Sequence, residues 1–200
     1  MNPCPQGKGL RGALVAPPRL ARALVALMFM LLAPVAAWSP AAAASTVAIS
    51  PSAGGEGALP MASTVVVHKA KRRLELWQRG KLLRAYRISL GRNPSGHKQH
   101  EGDFRTPEGR YVLDVRNPRS DFFLSMRVSY PNKQDLARAR RAGLRPGGQI
   151  MIHGLPNEPR WTAERYARED WTDGCIALTN ADMMEVWMLV ADGTPIDIRP

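Results

Sequence analysis

Cysteine is nearly absent from this chain: Cys4 and Cys175 are the only two in 200 residues. Cys4 lies in an N-terminal stretch that reads as a removable secretion signal. With that stretch gone, the exported chain keeps one thiol and has no partner for an intramolecular disulfide. Histidine is scarce too, with four copies, and there is no His-Glu-x-x-His. His97 and His100 are close in sequence but sit in a loop between Gly96 and Gly102. A zinc site built from His97, His100, His153 and Cys175 therefore has little support in the spacing. The chain also lacks internal repeats, a Leu-x-x-Cys lipoprotein signal, and any long apolar run beyond its first quarter. These absences exclude solenoids, lipid-anchored lipoproteins and multi-span membrane proteins.

The N-terminus begins with Lys8, Arg11, Arg19 and Arg22, continues with an apolar run from Ala23 to Ala37, and then reaches Ala42-Ala43-Ala44 before Ser45. Positive, apolar, then small is the order of a secretory signal peptide. The apolar run is short for a membrane span and is broken by Pro34. Cleavage is expected near Ala44 or Ala37, with an uncleaved anchor as the alternative. Residues 1–44 are thus assigned to a signal peptide and 45–62, rich in Ser, Ala, Gly and Pro, to a flexible linker. Residues 63–200 form one domain, long enough for a core of its own.

The net charge is +11, and losing the four leader cations leaves +7. Basic charge favours polyanionic partners, which are nucleic acid, membrane surfaces or acidic wall polymers; export speaks against nucleic acid, and a basic surface that only aids solubility is the other reading. Membrane contact is expected only through an uncleaved leader, and the exported domain is expected to be a monomer. Arg138, Arg140 and Arg141, on a helix expected over 135–142, read most simply as a solvated face.

The domain reads as α+β and mainly β, strand-rich with a few short helices. Val65 and Val67, Leu74 to Trp77, and Leu83, Tyr86, Ile88 and Leu90 alternate as strands, with a turn at Gln78-Arg79-Gly80-Lys81. Further strands are expected over 110–115, 122–129 and 194–198. The segment Gln149–Ile152 reads as a strand that delivers His153. A last helix is capped by Thr179 or Asn180, presents Met184, Trp187 and Met188 to the core, and stops at Gly193. Helices do not alternate regularly with strands, which excludes a doubly wound sheet.

Cys175 follows Trp171-Thr172-Asp173-Gly174, and His153 precedes Gly154. A thiol is a nucleophile as its thiolate, and an imidazole can accept its proton and return it to a leaving amine. Glycine beside the cysteine lets a substrate carbonyl approach, and the amides of Gly174 and Cys175 are candidates for an oxyanion hole. A third group should orient the imidazole, and either the Gly154 carbonyl or Asp173 can serve.

The segment His153-Gly154 followed by Thr172-Asp173-Gly174-Cys175 resembles the L,D-transpeptidase catalytic (YkuD) domain. Gly102-Asp103-Phe104-Arg105-Thr106-Pro107-Glu108-Gly109-Arg110-Tyr111, Ser129-Tyr130-Pro131-Asn132, Pro146-Gly147-Gly148 and Gly193-Thr194-Pro195-Ile196 are similar to other family segments, in the same order. The resemblance implies an exported peptidoglycan enzyme without a cofactor. Cys175 would attack the peptide bond after the third residue of a stem tetrapeptide, with His153 as general acid/base. It also nominates Tyr130, Asn132 and Thr172 as substrate contacts. Two departures stand out: Asp173 where many members have a second His, and Ala177 where many have Arg or Asn. The Thr-Asp-Gly-Cys form resembles a branch containing an enzyme that releases wall-bound lipoprotein with water as acceptor. A hydrolase of the same fold, acting on crosslinks or wall-linked protein, is therefore the alternative to an amine-accepting transferase. A non-catalytic wall-binding module is a third reading, and an inert Cys175 under native alkylation would mark it. N-terminal sequencing of protein from the periplasmic fraction is expected to start near Trp38 or Ser45; recovery only from cytoplasm with Met1 intact contradicts export.

Overall fold

The computed structural model describes residues 60–200. The expected signal peptide and nearly all of the linker lie outside them. The strands are β1 (Thr64–His68), β2 (Arg73–Gln78), β3 (Lys81–Arg87), β4 (Gly109–Ser120), β5 (Phe123–Val128), β6 (Met151–His153), β7 (Ile176–Ala177) and β8 (Thr194–Arg199). The helices are α1 (Lys133–Arg141), α2 (Ala163–Arg168) and α3 (Asn180–Leu189).

Alternation builds the first meander. In β1, β2, β3 and the segment after it, Val65, Val67, Leu74, Leu76, Tyr86, Ile88 and Leu90 point inward and are buried. β1 pairs antiparallel with β2, and β2 with β3, across a turn where Arg79 and Gly80 both take positive φ, the backbone a tight hairpin requires. The chain end returns to this meander: β8 lies parallel to β1, with Val65 beside Ile196 and Val67 beside Ile198. The full sheet runs β3-β2-β1-β8-β4-β5-β6-β7.

The sheet curls until its two ends meet. Ser89 and Ala177 exchange two backbone hydrogen bonds of 2.9 and 2.8 Å, the Thr172 amide donates to the Leu90 carbonyl, and the Arg92 amide donates to the Thr172 carbonyl. Asp170 staples this seam. Its carboxylate accepts two bonds from the Arg72 guanidinium edge and one from the Leu90 amide. Lys69, buried, fastens the adjoining loop by donating to the carbonyls of Gly96 and Thr106 and to Glu108. Burial lowers its pKa, and the Glu108 carboxylate works against that shift.

α1 matches its expected position, with Asn132 as cap: its side chain accepts from the Gln134 and Asp135 amides, while Asp135 accepts from the Asn132 amide. α3 is capped by Thr179, but its inward face differs from expectation. Met183, Val186 and Leu189 are buried, Trp187 packs at the core margin, and Met184 and Met188 are 41 % and 47 % exposed. The helix is apolar on two neighbouring stripes, so packing against the sheet, not periodicity, selects the inward one. Nor does Gly193 stop the helix. α3 ends at Leu189, and Gly193, with φ of 83°, forms the turn into β8.

Gly91 sits on the seam with no space for a side chain: a Cβ there would lie 2.1 Å from the Phe104 carbonyl oxygen and 3.0 Å from Gly174 Cα. Both atoms are backbone and cannot rotate away. Gly91→Ala is expected to destabilise the domain by about 1–3 kcal/mol through overpacking. Gly148→Ala, with Pro131 Cδ 3.9 Å away, should leave it nearly unchanged. Thermal unfolding of the two variants checks this.

Candidate active site

β6 and β7 run parallel, with Ile152 beside Ile176 and His153 beside Ala177. Cys175 immediately precedes β7, so the same register sets it beside Met151, whose amide nitrogen is 3.4 Å from Sγ. Side chains alternate along strands, so Cys175 and Ala177 share a face with Met151 and His153. This brings together the thiol position and the imidazole from 22 residues apart in sequence. The Gln149 carbonyl lies 3.6 Å from Sγ, on a residue held at a positive φ of 56°, rare for a side chain larger than glycine. In the 200-residue chain Cys175 is disulfide-bonded. The other cysteine, Cys4, lies outside the described residues.

Thr172 and Gly174 set the cysteine loop. Thr172 Oγ1 donates to the Cys175 carbonyl at 2.7 Å and accepts from the Gly174 amide at 3.2 Å. The Thr172 hydroxyl is thus spent inside the loop, and Thr172 is buried. Gly174 takes φ of 131°, and a Cβ there would lie 2.7 Å from the Arg105 carbonyl. Of the two amides nominated for an oxyanion, that of Gly174 points at Thr172.

The imidazole is oriented by Gly154. His153 Nδ1 lies 2.7 Å from the Gly154 carbonyl oxygen. A carbonyl only accepts, so Nδ1 carries the proton and Nε2 holds the lone pair. Gly154 is itself held by bonds from its amide to the Phe122 and Leu124 carbonyls. Asp173, the other nominated group, instead accepts from Arg92 Nη2 at 2.7 Å, and the Arg92 guanidinium lies 4.1 Å over the Phe104 ring.

His153 is 1 % exposed. Phe122 and Trp171 wall the ring at centroid distances of 4.6 and 5.6 Å. Nε2 is buried with no hydrogen-bond partner among the described residues, as is the indole nitrogen of Trp171. Desolvation of the cation lowers the imidazole pKa from its usual value to about 4, against a smaller opposing effect of the Gly154 carbonyl. At neutral pH this is a neutral base with its lone pair on Nε2.

Tyr130 and Asn132 are both bound within the fold. The Tyr130 hydroxyl donates to the Pro146 carbonyl, and Asn132 caps α1; neither bonds to Cys175 or His153. His97 accepts the Glu108 amide at Nδ1 and sets Nε2 3.1 Å from Asp135, while His100 contacts the Glu101 carbonyl. The residues that sequence reasoning missed are Gln149, Phe122 and Trp171. Trp171 directly precedes the cysteine motif. The other two are identified by long-range contacts alone.

A strand-rich domain with a cysteine and a buried imidazole on one face of adjacent strands is the class of protein this structure defines. The model of the L,D-transpeptidase catalytic (YkuD) domain matches residues 62–198, and the chain belongs to that family. YafK of Escherichia coli K12, whose own assignment as an L,D-transpeptidase is provisional, is 28% identical over 132 residues, covering 63% of this chain and 46% of that protein. The helical cell shape determining protein Pgp2 of Campylobacter jejuni is 28% identical with a TM-score of 0.54, over 68% of this chain and 47% of that one. Bd1075 of Bdellovibrio bacteriovorus shares the fold, with a TM-score of 0.50 and 23% identity over 69% of this chain and 48% of that one. The chain spans about half the length of these proteins.

The lowered His153 pKa has a sign. Between pH 6.5 and 4 the unfolded chain binds a proton that the folded chain refuses, so stability rises with pH across that window and falls as pH drops through it. The shift corresponds to roughly 3 kcal/mol at its limit. His153→Gln removes the titrating group and is expected to flatten the dependence of unfolding free energy on pH between 6.5 and 4. A slope equal to wild type contradicts the assignment.

Proposed function

We propose that this chain is an exported, cysteine-dependent L,D-transpeptidase that acts on peptidoglycan stem peptides through an acyl-enzyme on Cys175. The observation that carries the reading is the imidazole: its tautomer is set by Gly154, and its Nε2 is buried, unprotonated and without a partner among the described residues, on the strand face that bears Cys175. Export and removal of the leader carrying Cys4 leave Cys175 as the single cysteine of the exported chain.

His153 Nε2 takes the thiol proton as sulfur bonds to the carbonyl carbon of the third stem residue. The C–N bond to the terminal D-Ala breaks, and the imidazolium returns its proton to that amine. The thioester is then attacked by an amine acceptor, whose proton passes to His153, and the sulfur leaves and takes that proton back from the imidazolium as the thiol. Water in the acceptor's place makes the same site a hydrolase, releasing a crosslink or a wall-linked protein. Asp173, paired with Arg92 on the loop rim, departs from the common family motif at the position where that choice is open.

Incubation with purified sacculi and mass spectrometry of the products tests the proposal. Joined stem peptides identify transfer, and free carboxyl termini with released D-Ala identify hydrolysis. Cys175→Ala and Cys175→Ser should each abolish both while keeping wild-type unfolding; turnover by either variant overturns the thiol mechanism. His153→Ala should slow acylation by about 10²–10⁴-fold. Because burial holds the base near pKa 4, the acid limb of kcat/KM should lie well below pH 6.5. A limb at 6.5 places another group in the role.

A further inference from the structure

α1 buries only Asp135 and Ala139. Its outward stripe holds Lys133, Arg140 and Arg141, all exposed. Among the described residues no carboxylate lies within ion-pair distance of these three or of Arg110. Beside the helix is an open depression of about 460 Å³, lined by Arg110, Lys133, Gln134 and Arg138, with Glu108 and Asp135 as its acids. Asp135 pairs with Arg138 at 3.5 Å, which leaves Arg110 and Lys133 as the depression's cations without an ion-pair partner among the described residues. Glu108 is bound by Lys69 at 2.8 Å. Asp135 is buried and accepts from Tyr111 and from the Asn132 amide, beside His97. The depression is therefore cationic and roomy enough for a peptide or sugar unit.

This face is tied to the cysteine. α1 ends in a tight cap, with the Gly143 and Leu144 amides donating back to the Arg140 and Ala139 carbonyls. Arg145 follows at once, and Gln149, whose carbonyl is 3.6 Å from Sγ, is four residues further along. The end of α1 at Arg141 is eight residues from Gln149, a span of at most about 28 Å, so a polymer of several subunits can reach from α1 to the thiol position.

We infer that the α1 face and its depression bind the carboxylates of neighbouring stem peptides, so that the enzyme takes polymeric, anionic peptidoglycan rather than isolated fragments. The inference rests on the peptidoglycan reading of the cysteine site. Stem peptides carry free carboxylates along the glycan, and a one-sign patch concentrates such a polymer near the site and lengthens its residence there.

The test is pelleting of the purified chain with intact sacculi at low and high salt, which needs no turnover. Wild type should bind in a salt-sensitive way. The triple variant Lys133→Gln, Arg140→Gln, Arg141→Gln should bind about tenfold more weakly at low salt, in line with the gain that a one-sign patch gives. A control that removes three exposed cations elsewhere, Lys71→Gln, Lys81→Gln, Arg119→Gln, should bind like wild type. Sacculi whose carboxylates have been amidated should bind poorly. Equal loss in both triple variants, unchanged binding to amidated sacculi, or stronger binding to anionic lipid vesicles than to sacculi overturns the inference. Full, face-dependent binding by a chain that never turns over sacculi supports the inference and overturns the acyl-transfer reading instead.

Discussion

The seam between residues 88–92 and 172–177 is the constraint on which the rest depends. β7 is two residues long, too short to hold a position on one neighbour. It is gripped on one side by β6 and on the other by the Ser89–Ala177 exchange. That double grip closes the curled sheet and sets Cys175 at the start of a fixed strand. It also brings three backbones so close that Gly91 and Gly174 have no space for a Cβ. The glycine before the cysteine thus answers to packing against Arg105 as much as to substrate access.

The same closure dries the site. His153 and Cys175 are both buried, and aromatic rings wall the imidazole. Dry surroundings disfavour the imidazolium. In the proposed mechanism His153 is therefore a base that is neutral at rest and takes its proton during attack. The Gly154 carbonyl suits this role: it fixes the tautomer without the full negative charge that would hold a proton on Nε2.

Much of the fold was legible in local pattern. Alternating Val and Leu marked β1 and β2, Thr179 preceded a helix it does cap, and His153-Gly154 fell at a strand end. What could not be read depends on contacts distant in sequence. The parallel return of β8 onto β1, the seam, and the carbonyl of Gln149 facing Sγ leave no local trace. The inward face of α3 was misread because two stripes of that helix are apolar. Tyr130 and Asn132, nominated as substrate contacts from a family-like segment, also have roles in the fold that the sequence did not suggest: one hydroxyl donates to a backbone carbonyl and the other side chain caps a helix. Asp173 and Gly154 were equivalent candidates until the hydrogen bonds distinguished them.

The chain belongs to the YkuD domain family, and the central claim of the proposed function is that a stem peptide is carried as a thioester on Cys175. The most direct measurement is intact-mass spectrometry of the exported form mixed with a stem tetrapeptide and quenched in acid, followed by peptide mapping. The account predicts an adduct equal to the tripeptide acyl group, located on the peptide containing Cys175 and absent in Cys175→Ala. Turnover of the tetrapeptide with no adduct at any time, or an adduct that persists in Cys175→Ala, would contradict it.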